Sequence, residues 1–171
     1  MKNNNKKISL APFEETFITD EYVSWLNNKT LMQFSEHRHK EHTLNSCYEY
    51  FNSFQNSENV LYAVLDKNSG VHVGNINAYI DKYNSIADIG ILIGKPGQGY
   101  GLKAWNEMIY FLLNEEGVRK ITAATMSVNE PMIRIFEKSE MVYEYTKKDQ
   151  AIYKAKPVDL IGYCKFNMNS K

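Results

Sequence analysis

Cysteine is almost missing from this chain of 171 residues: Cys47 and Cys164 stand alone, far apart and outside any closely spaced thiol pattern. That excludes a disulfide framework and a thiolate metal cage, and both residues read as reduced, largely buried thiols. Long apolar runs are missing too. No stretch approaches the ~20 residues of a membrane span, and Met1 to Lys7 lacks the hydrophobic segment of a secretory signal. The expectation is a cytoplasmic protein with no membrane partner. An excess of one charge is also absent, with 20 basic against 20 acidic side chains. No global field draws the protein onto nucleic acid, so none is expected as a partner, and recognition of an anion has to be local. Internal repeats and long linkers are lacking as well, which leaves one compact domain over residues 1–171.

What is present is a glycine cluster in an informative place. Gly97-Gln98-Gly99-Tyr100-Gly101 follows the apolar run Ile86-Ala87-Asp88-Ile89-Gly90-Ile91-Leu92-Ile93 and precedes an amphipathic segment from Leu102 to Leu113. The order is strand, loop, helix. Glycines let the backbone approach a ligand and turn its N–H groups inward, and the following helix points unpaired N–H groups and its positive dipole end into the same space. Such a cradle suits an anion, most simply the pyrophosphate of a nucleotide-containing cofactor. A plain surface turn has the same composition, so the flanking elements carry the reading.

Hydrophobic period and turn chemistry supply the remaining elements. Lys7 to Pro12 reads as a strand, Asp20 as the cap of a helix through Leu26, and Thr43 as the cap of a helix carrying Leu44, Cys47, Tyr48, Phe51 and Phe54. Asn59 to Leu65 and Val71 to Ile80 form a hairpin around Asp66-Lys67-Asn68-Ser69-Gly70, followed by a strand over Ser85 to Ile93. The helix after the glycines is expected from Leu102 and is stopped by Gly117. Arg119 to Met126 is a strand, Asn129-Glu130-Pro131 opens a helix ending near Ser139, and strands over Val142 to Tyr153 and Val158 to Met168 close the chain. Hairpins outnumber crossovers. This predicts an α/β (α+β) domain with a mixed, mostly antiparallel sheet of about seven strands and helices on both faces.

The order and motifs resemble the GNAT superfamily of acetyl-coenzyme A-dependent N-acetyltransferases, nearest the branch of the ribosomal-protein N-terminal acetyltransferases. The family's Gln/Arg-x-x-Gly-x-Gly/Ala loop is matched in its small residues by Gly99 and Gly101, and its later Asn and Glu-Lys-x-Gly-Phe by Asn129 and Glu137-Lys138-Ser139-Glu140-Met141. Departures are Pro96 where the family prefers Gln or Arg, a shorter Ile93-to-Gly97 connection, Glu140-Met141 for Gly-Phe, and Phe136 where many members carry a tyrosine that protonates the departing thiolate. Phenylalanine cannot donate that proton.

The resemblance implies acetyl-CoA as co-substrate and direct attack of an amine on its thioester. Main-chain amides of Gly97, Gln98, Gly99, Tyr100, Gly101 and Leu102 would hold the pyrophosphate, and Ile91, Leu92, Ile93 and Asn129 would meet the rest of the coenzyme. An ammonium has no lone pair, so the amine must first lose a proton; an α-amino group with a pKa of about 8 needs modest help. Asp88 stands at the family's acidic position, its short side chain favouring a water relay, although a solvated or salt-bridged carboxylate explains it equally. A backbone N–H at Leu92 or Ile93 would stabilise charge on the thioester oxygen. Ser127, Tyr143 or water would protonate the thiolate.

The acceptor is expected at Glu36-His37-Arg38-His39, where Arg38 with His37 or His39 could receive a carboxylate or phosphate, and where a merely solvated cluster is the alternative. The spacing of His37, His39 and His42 fits no standard metal site, so no metal is expected. A small amine, such as an amino sugar or sugar nucleotide, is the favoured acceptor. A protein N-terminus and a non-catalytic acyl-CoA sensor are the alternatives, and a homodimer is compatible with the sequence.

Overall fold

Leu61, Ala63 and Leu65 alternate with Val60, Tyr62 and Val64, and the two sets pack into different apolar clusters. That period of two makes the strand the middle layer of a three-layer fold. The computed structural model describes residues 7–168. Seven strands, β1 (Ile8–Pro12), β2 (Val60–Asp66), β3 (His72–Asp81), β4 (Ile86–Ile93), β5 (Lys120–Met126), β6 (Val142–Tyr153) and β7 (Lys156–Phe166), form one sheet in the order β1-β2-β3-β4-β5-β7-β6. All neighbours are antiparallel except β4 and β5. The expected α/β architecture, a mixed and mostly antiparallel sheet between helices, is the one observed.

Helices α1 (Asp20–Leu26) and α2 (Leu44–Asn52) bury Tyr22, Trp25, Cys47 and Phe51 on one face, against Leu61 and Ala63. On the other face lie α3 (Tyr100–Asn114) and α4 (Glu130–Lys138). Ala104, Trp105, Met108 and Leu112, spaced as a helical stripe, are at most 1% exposed there. Each large side chain so buried contributes about 1.5–3 kcal/mol, which fixes α3 to the sheet.

Element ends differ from the sequence reading for local reasons. Thr19, not Asp20, caps α1, its hydroxyl accepting from Tyr22 N–H, and Asp20 opens the helix. Helix α3 starts at Tyr100 rather than Leu102, because Gly99 takes a left-handed φ of 74° that turns the chain directly into the first helical turn. The last hairpin turns at Lys154 and Ala155, both left-handed with φ of 48° and 61°, so β7 begins at Lys156 rather than Val158. No glycine announces that turn. Cys47 and Cys164 are both buried and unpaired. Among the described residues, no helix is long and apolar enough to cross a membrane.

Candidate active site

The sheet opens between its two parallel strands. Strand β4 pairs with β3 along its full length, from Ile86 to Ile93, but with β5 only at Ile86↔Lys120, Ala87↔Ile121 and Asp88↔Thr122. Beyond Asp88 the strands part, while β5 continues beside β7 as far as Met126. Backbone groups facing the gap are therefore outside any ladder.

Alternation decides which amides those are. Gly94 N–H donates to Val73 O at 2.9 Å, and Ser85 O accepts from Arg119 N–H at 2.9 Å, so even-numbered residues of β4 face β3 and odd-numbered ones face β5. Ile89, Ile91 and Ile93 thus direct their N–H groups into the gap. Leu92, opposite Asn75, directs its own toward β3 and its side chain toward the α1 and α2 cluster.

At the end of the gap sits the glycine loop. Gly97 and Gly99 hold φ of 83° and 74°, and a Cβ at either would meet nothing within 4 Å, so conformation rather than crowding demands glycine there and the space beside them is open. Gly101 is different: a Cβ would lie 3.2 Å from Ile135 Cδ1 and 3.7 Å from Ile93 Cγ1, so its absence lets α3, α4 and β4 close together. No side chain caps α3. The N–H groups of its first turn, Tyr100, Gly101 and Leu102, are left facing the open loop, where an anion would complete them.

The side chain of Tyr100 turns away from this space, donating its hydroxyl to Asp66 Oδ2 at 2.8 Å. Hydrogen bonds from Ser69 N–H, Tyr100 and the Ser69 hydroxyl hold the Asp66 carboxyl down at about 2. Lys7 Nζ donates to Gln98 O at 2.7 Å and lies 5.3 Å from the centre of the Tyr100 ring. Pro96 is exposed, and the neighbouring Lys95 pairs with Glu21 of α1 at 3.1 Å.

Asn129 caps α4 as its residue type predicts, Oδ1 accepting from Met132 N–H at 3.3 Å. Its Nδ2 donates to Thr125 Oγ1 at 2.8 Å, tying the head of α4 to β5. Phe136 is 1% exposed, with ring centres 5.5 Å from Trp105 and 4.9 Å from Tyr163. Half-buried Ser127 follows the end of β5, its N–H bonded to Asp159 O at 2.8 Å. Tyr143, on β6, lies two strands from β5, or about 9–10 Å at the usual spacing, and its hydroxyl meets Thr146 Oγ1.

Asp88 marks the fork, on the face that α1 and α2 cover only in part. Its Oδ2 accepts from Thr122 Oγ1 at 2.7 Å, and the strands around it raise the carboxyl pKa by desolvation, an effect the Thr122 hydrogen bond offsets in part. The residue keeps contact with solvent. Its charge in turn helps raise the Tyr145 hydroxyl on the same face, after burial as the larger cause. Thr122 and Tyr145 were invisible in the sequence, where each is an ordinary strand residue.

The segment joining α1 and α2 is anchored on the β6–β7 hairpin. Tyr153, at the tip of the β6–β7 hairpin, stacks on Phe34 at 5.3 Å and donates its hydroxyl to Gln33 Oε1 at 2.8 Å. Arg38, expected to receive an anionic group of the acceptor, spends its guanidinium inside the protein: Nη1 on Ser35 O at 2.7 Å and Glu36 Oε1 at 2.9 Å, Nη2 on Ile152 O at 2.9 Å. It is a pin, not an open hand. His37 is joined to His42, whose Nε2 lies 3.2 Å from His37 O, and burial lowers the His37 pKa ahead of the nearby His42 and Lys40 charges. His39 lies 3.9 Å from Glu36 and lines a cleft of about 250 Å³ together with Asn28, Lys29, Met32, Arg38 and Lys40. Among the described residues, no group of three or more His, Cys, Asp or Glu is placed to hold a metal ion.

A forked parallel pair with a glycine loop and an uncapped helix head at its open end is an arrangement suited to an anionic ligand. The family model of the acetyltransferase (GNAT) domain matches residues 7–142, and the chain belongs to that family. Human alpha/beta-tubulin-N-acetyltransferase 9 is 24% identical over 149 residues, covering 78% of this chain and 71% of that protein. Among solved structures, the spermidine N-acetyltransferase of Vibrio cholerae in complex with CoA and spermine superposes with a TM-score of 0.83 at 16% identity, over 95% of this chain and 97% of the other. A ribosomal L7/L12 alpha-N-protein acetyltransferase in complex with coenzyme A gives 0.82 at 13% identity, over 95% of both chains. Identities this low speak for the fold and leave the acceptor to the chemistry of the site.

Proposed function

We propose that the chain is an N-acetyltransferase that moves the acetyl group of acetyl-CoA to a small primary amine by direct attack. The observation that carries this is the fork: main-chain donors at Ile91 and Ile93 are left without ladder partners next to an uncapped helix head behind Gly97 and Gly99. The diphosphate would rest on amides of residues 97–102, and the coenzyme supplies an activated thioester carbonyl when bound. Ile91 and Ile93 N–H are aimed to hold the oxygen of that carbonyl as negative charge develops on it, a place first expected of Leu92 or Ile93. Leu92 serves through its apolar side chain. Asp88 accepts the ammonium proton. At ~3.3 Å per residue it lies about 10 Å along the strand from Ile91, so a water completes the path. Ser127, at the end of β5, is the side chain we assign to return a proton to the thiolate, since Phe136 is sealed between two rings. Asn129 positions α4 and offers its remaining amide proton to the coenzyme arm.

Two features support a small acceptor. The segment between α1 and α2 is held to the β6–β7 hairpin by Arg38 and Tyr153, and a held segment narrows the approach open to a folded protein's N-terminus. At the adjacent cleft Arg38 is already paired with Glu36, and Lys29 and Lys40 stand against Glu41; the remaining positive excess disfavours a polycation such as the spermine bound by the Vibrio cholerae protein and suits an amine that also carries a negative group, as a sugar nucleotide does. Thiol release from acetyl-CoA with amino sugars, sugar nucleotides, spermine and an N-terminal peptide tests this. Turnover with the first two classes is expected. Tight coenzyme binding with no amine acetylated would leave a sensor, and turnover with the peptide alone would make the acceptor a protein.

A further inference from the structure

Two residues distant in sequence, Asp66 and Lys7, reach the glycine loop from outside and meet there the side chain of Tyr100, a residue of the loop itself. Asp66, the last residue of β2, is itself fixed: Oδ1 accepts from Asn68 N–H at 3.1 Å, Ser69 N–H at 3.0 Å and Ser69 Oγ at 2.9 Å. Its other oxygen takes the Tyr100 hydroxyl at 2.8 Å, which clamps the first turn of α3 to the end of β2. Lys7, at the start of β1, reaches over the Tyr100 ring and donates to the carbonyl of Gln98 at 2.7 Å.

The consequence follows from the planarity of the peptide group. In a trans peptide the carbonyl of one residue and the N–H of the next point in opposite directions. A lysine that holds Gln98 O on the outer side of the loop therefore turns Gly99 N–H to the inner side. Glycine at position 99 has no Cβ penalty in either orientation of the peptide, so without an external hold the 98–99 peptide can flip, carrying an acceptor into the place of a donor. Tyr100 and Asp66 fix the following residue, and with it the direction of the helix head.

Resting on the reading that this loop holds a diphosphate, we propose that Lys7, Asp66 and Tyr100 are positioning residues of the cradle, which keep the Gln98–Gly99 peptide and the head of α3 in the anion-binding orientation before the coenzyme arrives. None of them touches the reacting atoms. Binding to a preset site avoids the cost of ordering it, so their loss weakens the coenzyme's hold and leaves the chemical step alone.

The test compares Lys7→Met, Tyr100→Phe and Asp66→Asn with the intact chain, using acetyl-CoA and S-acetyl-pantetheine, which lacks the diphosphate. Each variant is expected to raise the KM for acetyl-CoA and the Kd for coenzyme A about three- to tenfold, the scale of one hydrogen bond, and kcat is unchanged in Lys7→Met and Asp66→Asn. The kcat/KM for S-acetyl-pantetheine stays the same in those two variants. Lys7→Arg restores coenzyme affinity, and Tyr100→Phe combined with Asp66→Asn is no worse than either alone. Equal losses with both donors, or no loss with either, overturn the clamp. Failure of the unaltered chain to bind coenzyme A overturns the diphosphate reading beneath it, whereas tight binding by all three variants removes the clamp alone.

Discussion

Substitutions at Gly99 separate the conformation of the loop from its charge preference. The φ of 74° costs an L-residue about 1 kcal/mol, and an added Cβ meets no atom within 4 Å, so Gly99→Ala, Gly99→Glu and Gly99→Lys carry the same backbone strain and no clash at Cβ. Each should lower Tm by about 2–4 °C, the scale for a chain of this size. Their binding should diverge. A carboxylate about 5 Å from a phosphate charge is repelled by about 0.8 kcal/mol in water and about 3 kcal/mol at an effective dielectric of 20. Against a diphosphate and with a side chain free to swing outward, about 2 kcal/mol is a fair lower figure, or roughly a thirtyfold loss. Calorimetric titration with coenzyme A should then rank Lys equal to or above Ala, and Ala well above Glu, with the gap shrinking as salt is added. Identical affinities for the three variants would refute the cradle, whatever their effect on stability.

Asp88→Asn should depress turnover most where the wild-type carboxylate is ionised, and the two enzymes should converge as the pH falls below its raised pKa. The raised Asp88 pKa moves the acid limb of kcat/KM above the ordinary carboxylate value of 3.8, and the Asn variant should lack that limb; a wild-type profile in the variant would remove Asp88 from the mechanism. The same shift has a stability sign: between 3.8 and the raised value the folded chain holds a proton that the unfolded chain has released, so stability falls as pH rises through that window, and denaturant titrations of Asp88→Asn should show a flatter dependence. Arg38→Ala should raise the KM of the amine and spare the Kd of coenzyme A, because it frees the α1–α2 segment from Ile152 O; an unchanged amine KM would show that the anchored segment is irrelevant to the acceptor. Phe136→Tyr should not speed the reaction, since the hydroxyl would be buried between Trp105 and Tyr163, and should cost about 1–3 kcal/mol of stability in urea titrations; a gain in kcat would show that the ring reaches the sulfur.

Much of the architecture was legible because it is local. The period of two in Asn59 to Leu65, the turn residues from Asp66 to Gly70, the Thr43 cap and the stripe through Trp105 and Leu112 each act within a few positions. The glycine loop was legible for the same reason. Contacts made at a distance were not. Arg38 looks like a free cation beside two histidines, and nothing near it in sequence points to Ile152 O, 114 residues away. Lys7 and Gln98 are separated by 91 residues, and the Tyr100 hydroxyl finds Asp66 across 34. Which of Ile91, Leu92 and Ile93 faces the fork depends on the phase of the β3–β4 ladder, set by partners such as Val73, and composition carries no trace of it.

The short seam of three rungs between β4 and β5 makes the sheet two panels joined along a narrow line. Cosubstrate lodged in the gap would act as a missing strand, satisfying edges that otherwise belong to water and locking the panels together. Amide exchange should accordingly slow on both sides of that line when coenzyme is added, so that the molecule is stiffest while loaded and loosens at the moment its product has to leave.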